Sequence, residues 1–94
     1  MSGYIALVHK GEGTSYGVSF PDVPGCISAG DTFEEAIALA GEALAGHLAA
    51  MRSDGDPIPP PRSFDELRRD REFVDDAADA IVTIVEPHRL REEV

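Results

Sequence analysis

Tyr16-Gly17-Val18-Ser19-Phe20-Pro21-Asp22-Val23-Pro24-Gly25-Cys26-Ile27-Ser28-Ala29-Gly30-Asp31-Thr32-Phe33-Glu34-Glu35 changes its period at Gly30. Before it, Tyr16, Val18 and Phe20 alternate with Gly17 and Ser19, the spacing of a strand with one apolar face. After it, Phe33, Ala36, Ile37, Ala40, Leu44, Leu48 and Met51 recur at intervals of three or four, which predicts a helix over 33–52. Thr32 followed by Glu35 is a capping-box pattern, and the carboxylates suit the positive end of a helix. Ala36, Ala38, Ala40, Ala43 and Ala45 favour helix and permit close approach to a sheet. One face of this helix is therefore expected to cover a sheet.

Outward from this stretch the same reading continues. Tyr4–His9 is apolar and strand-like, and Lys10-Gly11-Glu12-Gly13 turns it back into the strand at 16–20. Pro21-Asp22-Val23-Pro24-Gly25 cannot extend that strand, because each proline fixes φ and lacks a donor. Cys26–Ala29 resumes as a third strand. Downstream, Ser53–Asp56 ends the long helix, and a proline-rich connector spans 57–63. Ser63-Phe64-Asp65-Glu66 repeats the capping-box pattern and opens a short charged helix to about Asp70. Ala80–Val85 is rich in β-branched residues, predicts a strand over 80–86, and stops before Pro87; residues 88–94 form a short charged tail. The expected architecture is α+β: a single domain over 1–94, with a three-stranded antiparallel meander and a fourth strand, packed by one long helix.

The 94 residues carry 18 acidic and 8 basic groups, a formal charge of −10. Such a field repels phosphate backbones and draws basic partners, so nucleic-acid binding by this chain alone is disfavoured. Apolar runs such as Ile5–Val8 fall far short of the roughly 20 residues that a membrane span needs. No signal-peptide pattern opens the chain, so a cytoplasmic protein without membrane attachment is expected. Cys26 is the single cysteine and is expected to be a small buried thiol.

No pattern carries catalysis. Glu34–Glu35, Asp75–Asp76 and Glu92–Glu93 are adjacent pairs, which a helix splays about 100° apart. His9, His47 and His88 fall on separate elements without ligand spacing, so no metal and no cofactor are expected. Ser19, Ser28 and Ser53 lack a nucleophile elbow. Asp22 is explained by local Asx-turn chemistry. Arg68, Arg69 and Arg71 alternate with Asp65, Glu66, Asp70 and Glu72, an ion-paired surface, with an arginine patch facing a partner as the other reading.

Phe20-Pro21-Asp22-Val23-Pro24-Gly25-Cys26, followed by Gly30-Asp31-Thr32-Phe33-Glu34-Glu35-Ala36, then Ala40–Leu44 and Ile58–Pro61, resembles the HicB antitoxin family over roughly residues 4–63. The resemblance implies a degenerate ribonuclease-H-like unit without that fold's acidic centre. It also implies a partner, a small basic HicA-type toxin that cleaves mRNA and whose catalytic histidine is covered. Phe20, Pro21, Pro24 and Gly25 would set the crossing between strands, and Gly30, Asp31 and Thr32 the helix start. Candidate partner-binding residues are Glu12, Asp22, Glu34, Asp54 and Asp56, with Ile58 as an apolar anchor. Family members usually continue into a C-terminal DNA-binding module, and no basic recognition helix is found here, so a minimal member is expected. The alternative is an orphan HicB-like domain that binds another protein or a small molecule. The uncharged strand Ala80–Val85 suggests a homodimer or higher homo-oligomer through its edge.

Overall fold

The computed structural model describes residues 3–11, 13 and 15–87. Four strands, β1 (Tyr4–Lys10), β2 (Tyr16–Ser19), β3 (Ile27–Gly30) and β4 (Ile81–Val85), form one antiparallel sheet in the order β3-β2-β1-β4. Three helices accompany it: α1 (Phe33–Ser53), α2 (Phe64–Leu67) and α3 (Arg71–Ala77). The meander, the long helix and the fourth strand lie within a residue of their expected bounds. α2 stops three residues short of Asp70, and α3 was not anticipated.

Side chains alternate across a strand, so each face of the sheet needs its own cover. On one face Tyr4, Ala6 and Val8 stand beside Val18 and Val85, and Ala36, Ala40, Leu44 and Leu48 of α1 pack onto them. Phe20, Val23 and Cys26 complete this core, and burial pushes the Cys26 thiol pKa up. On the other face Ile5 and Leu7 lie beneath Leu67 of α2 and Phe73 of α3, with Ala77 and Ala80 beside them. Consequently all five residues from Tyr4 to Val8 are buried. The expected single cover is thus two: a long helix on one face and a short helical pair on the other.

The helix starts follow from their caps. Ser63 Oγ accepts from the Glu66 N–H at 3.1 Å and Glu66 Oε1 from the Ser63 N–H at 2.9 Å, a complete box. Thr32 Oγ1 accepts from the Glu35 N–H at 3.0 Å, but Glu35 Oε1 reaches the Asp31 N–H rather than that of Thr32. The connector is packed down rather than free. Ile58 is half-buried against the main core, and the Tyr4 hydroxyl donates to the Pro59 carbonyl.

Gly30 is where α1 presses on the sheet: a Cβ there would lie 2.6 Å from the backbone nitrogen of Ala36. At Gly17 the same atom would meet nothing within 4 Å. Gly30→Ala is therefore expected to cost about 2 kcal/mol, as overpacking does, whereas Gly17→Ala stays within about 0.5 kcal/mol. Urea denaturation of the two variants checks the contrast.

Candidate functional site

The Phe20–Cys26 segment is built from two successive turns, Val23 N–H to Phe20 O at 3.2 Å and Cys26 N–H to Val23 O at 3.1 Å. Gly25 has φ of +90°, which favours glycine over any residue with a side chain. Within the first turn Asp22 points inward, its side chain only 6% exposed. Its Oδ2 accepts from the Arg62 N–H and its Oδ1 from Arg62 Nε–H, both at 2.7 Å. Local Asx-turn bonding was expected for Asp22; instead its carboxylate spans 40 residues to the end of the connector.

Arg62 continues the link, donating from Nη1 to Asp70 Oδ2 at 3.3 Å. Asp70 in turn caps α3, its Oδ1 accepting from the Glu72 N–H at 3.0 Å. The bond to Asp22 raises the Arg62 pKa, and the Glu72 N–H followed by the Arg62 guanidinium holds the Asp70 carboxyl below its ordinary value. The turn, the connector and the second helical layer are thus joined through one guanidinium.

That layer covers Ile5 and Leu7 but leaves the same face of β2 and β3 open. Between them lies a groove of about 320 Å³. Leu7, Phe20 and Phe73 supply apolar lining, Ile27 stands on one wall, and Asp70, Glu72 and Asp76 lie along the other. Ile27 is 70% exposed, a large apolar side chain in water beside three carboxylates. Arg62, the one cation in the lining among the described residues, is already paired with Asp22 and Asp70. Apolar floor and anionic wall suit a segment that is itself apolar and basic. Among the described residues no three His, Cys, Asp or Glu side chains gather closely enough to hold a metal ion.

The residues expected to bind a partner do not form one site. Glu34 lies in the first turn of α1 and Asp54 caps its far end, about 30 Å away at 1.5 Å per residue. Asp56 is exposed beyond that end, Asp22 is committed to Arg62, and Ile58 to the core. Glu12 lies outside the described residues. Of the turn residues, Phe20, Pro21, Pro24 and Gly25 do line the groove. Ile27, Glu72 and Asp76 were missed because the α3 wall was not foreseen. Ile27, an isoleucine following the Pro-Gly-Cys turn on an edge strand, carried the one available hint.

The family model described as "HicB_like antitoxin of bacterial toxin-antitoxin system" matches residues 4–94. Among curated proteins, an uncharacterised 14.9 kDa protein from the rep-hol intergenic region of Haemophilus phage HP1 (strain HP1c1) is 41% identical over 71 residues. The alignment covers 76% of this chain and 50% of that protein, so the chain spans about half the relative's length. Among solved structures, the N-terminal domain of the Burkholderia pseudomallei antitoxin HicB has a TM-score of 0.73 at 32% identity, over 89% of this chain and 95% of that one. The B. pseudomallei antitoxin HicB gives 0.74 at 29%, over 100% and 76% respectively. A chain of a HicA3 and HicB3 toxin-antitoxin complex gives 0.68 at 30%, over 89% and 95%.

Two outcomes test the site's construction. Arg62→Ala leaves a nearly buried carboxylate without its guanidinium and should cost about 2 kcal/mol, with Asp22→Ala similar and the pair coupled by about 1 kcal/mol or more in a denaturation cycle. Asp70 has a folded pKa below its unfolded one, so its contribution is present above the ordinary carboxylate range and lost as pH falls through it. Asp70→Asn should therefore lose less stability than the parent between about pH 5 and about pH 3, as urea midpoints would report.

Proposed function

The chain belongs to the HicB-like antitoxin family, and from that premise we propose that it binds a HicA-type mRNA-cleaving toxin and holds it inactive. The observation that supports this most directly is the groove between the Phe20–Ile27 segment and α3, an apolar trough walled by carboxylates on a chain of charge −10. A small basic protein finds there both complementary charge and a place for an apolar side chain. In this reading the antitoxin contributes no chemistry; it occupies the toxin's catalytic surface.

Charge and apolar contact have separable roles. Glu72 and Asp76, with Glu34, Asp54 and Asp56 farther off, steer the encounter, as does the charge of Glu12, and such charges act on association more than on dissociation. Ile27 supplies the contact that resists dissociation, since exposed apolar anchors that become buried dominate interface energies. Asp22 acts from behind by fixing Arg62, and Ile58 by holding the connector on the core. No described helix is long and apolar enough to cross a membrane. A toxin that cleaves mRNA places the encounter in the cytoplasm.

The test uses a HicA-type toxin whose catalytic histidine has been replaced, with surface-immobilised antitoxin. Ile27→Asp is expected to weaken binding by roughly thirtyfold, mostly through faster dissociation. Glu72→Lys with Asp76→Lys is expected to slow association by roughly tenfold and flatten its salt dependence. Circular dichroism confirms that each variant retains the fold. Unchanged kinetics in both would move the toxin off this groove.

A further inference from the structure

The acidic wall of the groove stands on α3, whose far end is poorly provided for. Its last turn holds no basic residue, and Asp75, Asp76 and, just beyond, Asp79 add negative charge at the negative end of the helix dipole. Of the carbonyls left over there, Asp75 O takes the Ala78 N–H at 3.4 Å and Ala77 O that of Ala80 at 3.1 Å. Among the described residues no backbone N–H bonds to Asp76 O. Its partner comes instead from the sheet, 67 residues earlier in the chain: His9 Nε2 lies 3.1 Å away. His9 follows Leu7 on the face that α2 and α3 cover, one step past Val8, where β4 stops pairing with β1.

We propose that His9 positions the acidic wall: its Nε2–H, donated to the Asp76 carbonyl, closes the end of α3 and fixes the Glu72 and Asp76 carboxylates beside the groove. His9 acts through α3 and makes no contact with a partner. Its effect on toxin binding rests on the reading given above; its hold on α3 does not.

The hydrogen bond, rather than charge, is the effective contact. A carbonyl only accepts, so the bond requires a proton on Nε2, and a histidine is one of the side chains able to take a last carbonyl of a helix. The neighbouring carboxylate is the weaker hold: Asp79 Oδ1 is 3.7 Å from Nε2 with its side chain 88% exposed, and such pairs contribute little. α3 also has few other fastenings. Seven residues do not persist as a helix alone, and only Phe73 is buried, with Ala77 beside it. Its start is tied through Asp70 and Arg62 to Asp22, which leaves the far end to His9. Glu72 and Asp76 stand four residues apart, on one face only while the intervening turn stays helical. Released from His9, that turn frays, and Asp76 keeps its charge but loses its place. Long-range attraction then persists, while a tight contact requires the turn to be reordered on binding.

Three substitutions in the full chain separate donor from charge and bulk. His9→Leu removes the donor, His9→Gln keeps an N–H at similar reach, and Asp79→Asn removes the exposed charge beside the ring. In the free protein, amide exchange over Val74–Ala78 is expected to quicken by roughly fivefold in His9→Leu, about the worth of one net hydrogen bond, with α1 unchanged. His9→Gln and Asp79→Asn should exchange as the parent does, and ring nitrogen chemical shifts of the parent should show the proton on Nε2. Against a HicA-type toxin lacking its catalytic histidine, His9→Leu should dissociate roughly threefold faster, with association and its salt dependence unchanged because every carboxylate remains. His9→Gln should restore the parent's rate. Parent-like exchange in His9→Leu, a ring proton on Nδ1 alone, or no rescue by glutamine would overturn the hold on α3, whatever the toxin does. A loosened α3 with unchanged toxin dissociation, while Ile27→Asp still weakens binding, would overturn the positioning role and leave the groove reading intact. Unchanged binding in Ile27→Asp as well would overturn both the groove reading and the effect of His9 on binding.

Discussion

Strand β1 has no side that faces water from Tyr4 to Val8, and the rest of the molecule is arranged around that fact. Its even-numbered residues require the long helix α1, and its odd-numbered residues require a second cover. The second cover is made of helices of four and seven residues, too short to persist by themselves. Burial of Leu67 and Phe73 holds them on the sheet, and the Asp22–Arg62–Asp70 link ties them to the strand-crossing turn. The Phe20–Gly25 motif, which reads as a turn in sequence, is thus also an anchor for residues 40 positions away.

The groove follows from how little the second layer covers. Two short helices shield β1 and stop, so the outer face of β2 and β3 stays open beside the acidic flank of α3. Asp70 is partly neutralised by Arg62, while Glu72 and Asp76 remain exposed. Hence the negative field, spread over the chain, adjoins an open apolar surface in this groove. Along α1 the carboxylates lie on a solvated helix face, where exposed charges contribute to long-range attraction and little to tight contact.

Much of this architecture is legible in the sequence, because period and capping are local signals. The alternation around Val18, the three-and-four spacing from Phe33 to Met51 and the Ser63 box each appear in the structure where the residues place them. What escapes reading is short or long-range. Arg71–Ala77 buries only Phe73, with Ala77 alongside, and about two turns are too few to show a period. Asp22 and Arg62 share no spacing rule at all. One signal was available: the unbroken apolar run Tyr4–Val8 lacks the alternation of a strand with a wet face, which itself indicates cover on both sides. The dispersal of Glu34, Asp54 and Asp56 could not be seen from charge counts, since residues far apart on one helix look equivalent in a list of carboxylates.

Family membership fixes the fold, and the groove is the surface proposed to take a basic partner. Amide hydrogen exchange of the chain, free and bound to a HicA-type toxin lacking its catalytic histidine, tests this most directly. Slowed exchange is expected across Ser19–Ile27 and Asp70–Asp76, with the amides of α1 little changed. Protection confined to the solvated face of α1 or its ends, with the groove exchanging as in the free protein, would contradict the account.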